Sequence, residues 1–148
     1  MGTRRVMGLE TEYGVSVPGH SGTSAMVASS QVVNGYVAGP SGGGAPRDRR
    51  TRWDFEEESP LRDARGFEMS REVADASQLT DEDLGLANII LTNGARLYVD
   101  HAHPEYSAPE CTNPMDGVLW DKAGEQVALD AARFASTGGE GDLLLYKN

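Results

Sequence analysis

Two short stretches of the sequence carry ionisable side chains two residues apart, the spacing that places side chains on one face of a β-strand. Near the amino terminus these residues are Glu10 and Glu12. In the segment RLYVDHAHPEYSAPE, residues 96–110, they are Arg96, Tyr98 and Asp100. If the two strands are neighbours in one sheet, their carboxylates repel one another unless cations neutralise them.

Carboxylate oxygens at this density, with Glu105 added from the same segment, favour Mg²⁺, which binds carboxylates together with water and phosphate oxygens. Arg96 beside them could contact the same phosphates through two parallel hydrogen bonds. A sheet face that is simply exposed to water would show the same pattern. The residues alone therefore leave two interpretations open, a cation site and a solvated surface.

Other types of site have weaker support in the sequence. His101 and His103 could bind zinc, but Cys111 is the one further soft ligand and no second pair exists. We expect structural histidines, and we expect Cys111 to be a buried thiol rather than a nucleophile. The glycines of SGGGAP, residues 41–46, lack the lysine of a phosphate-binding P-loop.

The composition is that of one globular domain of 148 residues. There are 13 basic and 23 acidic residues, a formal charge of −10, which argues against general affinity for nucleic acid or for an anionic membrane surface. A single cysteine excludes an internal disulfide and favours a reducing compartment. Without an apolar run of membrane-spanning length or a secretion signal, the expected location is the cytoplasm.

Strand and helix patterns alternate along the chain. We expect strands over residues 4–17, from 96 to about 103, and over 142–148. We expect helices over 23–38, 80–91 and 114–138.

Local signals mark several boundaries of these elements. Ser24 or Thr23 can cap the first helix, and Asn113 with Pro114 can begin the last one. Asn93–Gly94 is a strong turn signal. The strand that follows this turn is expected to end or bend at Pro104.

The periodic patterns stop between residues 39 and about 75. This segment begins with GPSGGGAPRDRR, which is rich in glycine and proline and predicts a flexible insertion. A structureless segment of this length within a compact domain is more often functional than accidental. Its composition is equally compatible with a disordered insertion that has no function.

GLETEYGVS (residues 8–16) and NGARLYVDHAHPEYSAPE (93–110) together resemble the Pup ligase/depupylase family. WDKAGE (120–125) and LYKN (145–148) fit the same family. The resemblance implies the glutamine synthetase-like carboxylate–amine ligase fold, an α+β fold with a curved, mainly antiparallel sheet and flanking helices. The 39–75 insertion and the form DHAHPEYSAPE resemble the depupylase branch of the family rather than its ligase branch.

This resemblance implies an ATP- and Mg²⁺-dependent amidohydrolase that acts on Pup, the prokaryotic ubiquitin-like protein. Such an enzyme deamidates the C-terminal Gln of Pup and cleaves the isopeptide bond between Pup and lysine, with ATP bound rather than consumed. The partners are then Pup and pupylated proteins, and neither nucleic acid nor a membrane. The residues implied for magnesium are Glu10, Tyr98 and Glu105.

The resemblance also assigns roles to three further residues. Asp100 matches the catalytic aspartate, acting as base or nucleophile at the scissile amide. Arg96 would contact the nucleotide phosphates, and Glu12 would face these phosphates or a second metal ion.

Members of the family are much longer than this chain. Residues 1–148 are therefore expected to be the N-terminal part of the catalytic domain, either a fragment or one piece of a split enzyme, and inactive alone. The missing C-terminal part would be a further partner. Two alternatives are a Pup–protein ligase with the same fold and a non-catalytic module that binds Pup or a partner through the 39–75 insertion.

Overall fold

The computed structural model describes residues 5–20, 22–39, 88–138 and 142–147, together with residues 62, 66, 68 and 70. These residues include five strands: β1 (Glu10–Ser16), β2 (Asn88–Ile90), β3 (Arg96–Asp100), β4 (His103–Ser107) and β5 (Leu144–Lys147). They also include two helices: α1 (Ala25–Ala38) and α2 (Pro114–Gly138).

The five strands form one sheet in the order β2-β3-β4-β1-β5, and every pairing is antiparallel. β1 connects the three strands β2, β3 and β4 on one side of it with β5 on the other side. Its first half, Glu10–Glu12, pairs with β4, and its second half, Tyr13–Ser16, pairs with β5. The expected α+β fold with a mainly antiparallel sheet is confirmed.

The hydrophobic core lies between one face of the sheet and the two helices. Leu97, Val99 and Tyr106 are among the residues of this core and are at most 2% exposed. The Tyr106 ring packs so closely on α2 that a Cβ atom at Gly124 would lie 2.5 Å from it. Strand alternation therefore leaves the opposite face to the intervening residues of β3, Arg96, Tyr98 and Asp100.

The expected helix over residues 80–91 is wrong for its last part. Asn88–Ile90 is a strand that pairs with the first half of β3, and residues 80–87 lie outside the described part of the chain. The turn at Asn93–Gly94, where Gly94 has a φ of 87°, reverses the chain as expected. Two β-branched isoleucines are thereby placed beside β3, and burial of Ile89 stabilises the strand.

The expected end of the next strand at Pro104 is also wrong, because β3 already stops at Asp100. The chain reverses at His101 and Ala102, whose φ angles of 45° and 62° are those of a type I′ hairpin loop. Pro104 lies within β4, opposite Val99. In such a hairpin the closing pair, Asp100 and His103, is hydrogen-bonded, and the next pair, Val99 and Pro104, is not. Pro104 has no N–H group, and at this position β3 does not need one.

The expected boundaries of the two helices agree with the structure. Ser24 is the N-cap residue of α1, although its side chain makes no capping hydrogen bond. Before α2, Asn113 Oδ1 accepts a 3.0 Å hydrogen bond from the backbone N–H of Asp116, and Pro114 is the first helical residue. Neither described helix has the combination of length and apolar character needed to cross a membrane.

Two further expectations concern the amino-terminal strand and the insertion. β1 is shorter than the expected 4–17, and before it Met7 forms an isolated bridge with Cys111, whose thiol is buried as expected. The expected 39–75 insertion lies outside the described residues, apart from Gly39 and the four isolated positions named above.

Candidate metal and catalytic site

The face of the sheet opposite the helices carries the site residues that the sequence predicts. Tyr98 of β3 is opposite Glu105 of β4, and Glu105 is opposite Glu12 of β1. In the next row, Ser107 of β4 lies between Arg96 and Glu10. β4 lies between β1 and β3 and contributes Glu105, so two sets of residues are brought to one surface. These sets, the polar ladders, are Glu10 and Glu12 on β1, and Arg96, Tyr98 and Asp100 on β3.

Three carboxylates converge on this surface. Oxygen atoms of Glu12, Asp100 and Glu105 all lie within 4.8 Å of one another. Glu105 is only 3% exposed, whereas Glu12 and Asp100 are half-buried. Three carboxylates this close repel one another unless a proton or a cation neutralises part of their charge. Their oxygen ligands and spacing fit a hard divalent ion such as Mg²⁺.

The carboxyl group of Glu105 has a raised pKa. Burial, with smaller contributions from the charges of Glu10, Asp100 and Glu12, raises its pKa to about 7, against the lowering effect of a hydrogen bond from Tyr98. The Tyr98 hydroxyl donates this bond to Glu105 Oε1 over 2.5 Å. Burial and the hydrogen bond to Glu105 together raise the pKa of Tyr98, so Tyr98 remains a donor at neutral pH.

Tyr98 and Glu10 are placed differently from the other predicted magnesium ligands. The Tyr98 hydroxyl, expected at the metal, contacts the Glu105 carboxyl group. Glu10 lies outside the group of three mutually close carboxylates and accepts a 3.4 Å hydrogen bond from the Ser107 hydroxyl. The charge of Glu10 nevertheless raises the pKa of Glu105, so the two groups belong to one electrostatic cluster.

Arg96 is held on the same face by two contacts. Its guanidinium carbon lies 3.9 Å from the centroid of the Tyr98 ring, a distance at which a cation–π interaction is favourable. Its Nε donates a 2.8 Å hydrogen bond to Asn88 Oδ1. Asn88 was missed in the sequence because residues 80–91 were expected to be helical. The β-branched residues Ile89 and Ile90 before the Asn93–Gly94 turn were the available signal for a strand.

Asp100 is at the end of β3, where the hairpin loop begins. His101 Nδ1 lies 2.9 Å from Asp100 Oδ2. His101 and His103 are not part of the carboxylate group, but His101 contacts it through Asp100. The arrangement thus combines a cluster of three carboxylates with an imidazole that contacts one of them, Asp100.

Comparison with known proteins gives the family of this chain. Residues 5–148 match the model of the Pup-ligase protein family. A depupylase of Acidothermus cellulolyticus is 69% identical over 145 residues, which are 97% of this chain and 28% of that relative. A Pup deamidase/depupylase of Mycolicibacterium smegmatis is 56% identical over 146 residues, or 98% of this chain and 29% of the relative.

Two other proteins connect the chain to ligases. A Pup–protein ligase of a Nocardioides strain is 47% identical over 68 residues, only 42% of this chain and 15% of that ligase. The crystal structure of the complex between Pup and its ligase PafA matches 98% of this chain and 22% of that chain, with a TM-score of 0.59 and 22% identity. This likeness confirms the glutamine synthetase-like fold.

The chain spans less than a third of the length of the depupylases it matches, whereas the family model covers almost all of it. The polar ladders and the fold that positions them lie within the matched residues. The chain belongs to the Pup-ligase family.

Proposed function

We propose that this chain is the N-terminal part of an ATP- and Mg²⁺-dependent amidohydrolase that deamidates the C-terminal Gln of Pup and cleaves the Pup–lysine isopeptide bond. The observation that carries the proposal is the convergence of Glu12, Asp100 and Glu105 within 4.8 Å. High identity to a depupylase and to a Pup deamidase/depupylase over nearly the whole chain supports this reaction. Pup and pupylated proteins are the proposed partners, in the cytoplasm.

The proposed magnesium ligands are Glu10 and Glu105, as the resemblance implies, together with Glu12, whose carboxylate lies close to that of Glu105. The raised pKa of Glu105, caused first by burial and then by the charges of Glu10, Asp100 and Glu12, supports this assignment, because a bound cation would stabilise the ionised carboxylate against both effects. Tyr98 would act on the site through its hydrogen bond to Glu105. When bound, Mg²⁺ would stabilise the negative charge that develops on the carbonyl oxygen during amide hydrolysis.

ATP is the proposed nucleotide, bound as a cofactor rather than consumed in each turnover. Arg96 is placed on the same face as the carboxylates and one row away from Glu105. A guanidinium group offers paired donors that match phosphate oxygens. The contacts of Arg96 with Tyr98 and Asn88 would limit the freedom of its side chain before the nucleotide arrives.

Asp100 is the proposed catalytic residue, acting either as the base or as the nucleophile at the scissile amide. Its carboxylate lies beside the proposed ion position, where a cation would keep it ionised. His101 Nδ1 lies 2.9 Å from Asp100 Oδ2 and would restrict the orientation of this carboxylate. Both features favour a carboxylate held ready for attack or for proton transfer.

The test compares the complete wild-type protein with its Asp100→Asn variant, given a Pup–lysine conjugate and Mg–ATP. Asp130→Asn is a matched control, since Asp130 is on α2 and pairs with Arg133. We expect the wild type and the control to release the protein that was attached to Pup through its lysine. Asp100→Asn should not release this protein, although it should still bind Mg–ATP. Normal release by Asp100→Asn would overturn the proposal.

The same assay separates the alternatives. A ligase would instead convert free Pup and a lysine substrate to a stable conjugate with production of ADP. A non-catalytic module would bind Pup equally well in wild type and Asp100→Asn and would show neither reaction. The limited match to a Pup–protein ligase, which covers 42% of this chain, gives the ligase less support than the hydrolase.

A further inference from the structure

One serine of helix α1, Ser29, contacts the His101–Ala102 hairpin loop next to Asp100. The Ser29 hydroxyl oxygen lies 2.7 Å from the carbonyl oxygen of Ala102 and 2.7 Å from that of Ala25. Within α1, the Ala25 carbonyl accepts the backbone N–H four residues later. Because a hydroxyl group has one hydrogen and the Ala25 carbonyl already has this donor, we assign the Ser29 hydrogen to the Ala102 carbonyl.

Burial makes this hydrogen bond important. Ser29 is 0% exposed and Ala102 is 6% exposed, so water is a poor substitute for either partner. A buried carbonyl group without a donor is costly and rare in folded proteins. The bond joins residues 73 positions apart in the sequence and therefore ties the helix to the loop.

The loop itself needs such support. His101 and Ala102 have φ angles of 45° and 62°, a region that residues with a side chain enter only at an energetic cost. Conformations of this kind persist when surrounding contacts fix them. Asp100 and His103 are the pair that closes this hairpin, so the loop conformation determines where the Asp100 carboxylate lies.

We infer that Ser29 is a positioning residue for the proposed reaction: its hydroxyl holds the His101–Ala102 loop in the left-handed conformation and thereby places Asp100 against Glu12 and Glu105. The inference rests on the proposed function, in which Asp100 is the reacting carboxylate. Ser29 acts only through the loop and needs no contact with substrate or nucleotide.

Ser30 provides a matched control on the same helix. It is also 0% exposed, and its hydroxyl has no hydrogen-bond partner within the part of the chain that is described. Ser29→Ala and Ser30→Ala therefore remove the same atom from equally buried positions. Only the first change removes the tether to the loop.

The experiment measures kcat, KM and melting temperature for cleavage of a Pup–lysine conjugate by the complete protein. We expect Ser29→Ala to lower kcat by about tenfold to a hundredfold with little change in KM, because misplacement of a reacting group by about 1 Å has this effect. Ser30→Ala should remain within about twofold of wild type. If Ser29→Ala does not fold, Ser29→Cys, which has a slightly larger side chain and is a weak donor, carries the test.

A second variant distinguishes positioning from general stability. Glycine adopts positive φ without strain, so Ala102→Gly in the Ser29→Ala background should restore kcat at least fivefold. A merely structural role of Ser29 would not be rescued in this way. Equal kcat in Ser29→Ala and Ser30→Ala, or no recovery with Ala102→Gly, would overturn the inference.

The Asp100→Asn variant in the same assay shows which idea has failed. If Asp100→Asn is inactive and Ser29→Ala is unaffected, the positioning role falls and the proposed function stands. If Asp100→Asn cleaves normally, the proposed function falls and the role of Ser29 falls with it.

Discussion

The Tyr98 hydroxyl donates a 2.5 Å hydrogen bond to Glu105 Oε1, and these two residues are directly opposite each other on adjacent strands. Both are buried, at 6% and 3% exposure. Because burial raises the pKa of Glu105 to about 7, this carboxyl group keeps its proton in a pH range where an ordinary glutamate is ionised. The pair therefore links the stability of the sheet to pH.

The first prediction concerns this link in the cation-free protein. Below about pH 4.5 the Glu105 carboxyl is protonated in both the folded and the unfolded chain, and its stabilising contribution is fully present. Between about pH 4.5 and its folded pKa of about 7, only the unfolded chain releases the proton. The contribution is therefore lost as the pH rises, by on the order of 3 kcal/mol at 1.36 kcal/mol per pKa unit.

Urea unfolding of wild type and Glu105→Gln across this pH range measures the effect. Glutamine does not ionise, so the free energy of unfolding of wild type should fall relative to that of the variant as the pH rises. Glu110→Gln, at an exposed position, is the control and should follow wild type. A constant difference between wild type and Glu105→Gln would contradict the raised pKa.

The second prediction uses two buried glycines of α2. A Cβ atom at Gly124 would lie 2.5 Å from the Tyr106 ring, whereas one at Gly117 would meet its neighbours at 3.6–3.7 Å. Gly117→Ala should stabilise the protein by about 0.5–1 kcal/mol, the helix propensity difference. Gly124→Ala should destabilise it by about 1–3 kcal/mol, because Tyr106 is fully buried and cannot move freely.

Thermal unfolding of the two alanine variants in parallel checks this prediction. Opposite shifts of the melting temperature are expected from the same chemical change in the same helix. If both variants shift in the same direction, the close packing of α2 on β4 is not as described.

The third prediction concerns the attachment of β5 to α2. Lys147 Nζ lies 2.7 Å from both carboxylate oxygens of Asp121 and 2.8 Å from Glu125 Oε1. Hydrogen bonds to Asp121 and Glu125 raise the pKa of Lys147, so it stays charged. Since these groups are partly exposed, Lys147→Met should lower the free energy of unfolding by only about 1 kcal/mol.

Lys122→Met is the matched control for this ion-pair cluster. Lys122 also contacts Glu125, at 2.6 Å, but its side chain is 64% exposed and it pairs within one helix. The expected loss is smaller than that of Lys147→Met, because an exposed ion pair within one helix is screened by water. Equal effects of the two variants, or an effect of Lys147→Met that does not decrease with added salt, would contradict a tether formed by Lys147.

The sequence was most informative where the determining interactions are local. Alternation predicted that Arg96, Tyr98 and Asp100 share a face, and the register of β3 with β4 agrees. Asn93–Gly94 forms the expected turn, because glycine supplies the positive φ that it requires. Asn113 caps α2 as expected.

The errors occurred where distant contacts decide the structure. Neither His101 nor Ala102 is a typical residue for a type I′ loop, and the hydrogen bond from Ser29 crosses 73 positions. Ile89 and Ile90 become a strand because β3 is available for pairing, which a local helix signal does not record.

The membership of the carboxylate cluster depends on register in the same way. Spacing indicated that Glu10 and Glu12 share a face, but it gave no reason to prefer either one. Pairing of Glu12 with Glu105 brings Glu12, rather than Glu10, into the group of three. The roles of these residues in metal binding and catalysis remain predictions.

The most direct test of the account is titration of the complete protein with MgCl₂ by isothermal calorimetry, in wild type, Glu12→Gln and the control Glu110→Gln. Loss of a carboxylate ligand should weaken Mg²⁺ binding by about tenfold or more, and the exposed Glu110 should have no effect. Glu10→Gln, outside the group of three, should have a smaller effect than Glu12→Gln. Equal affinity of wild type and Glu12→Gln for Mg²⁺ would contradict a cation site formed by Glu12 and Glu105.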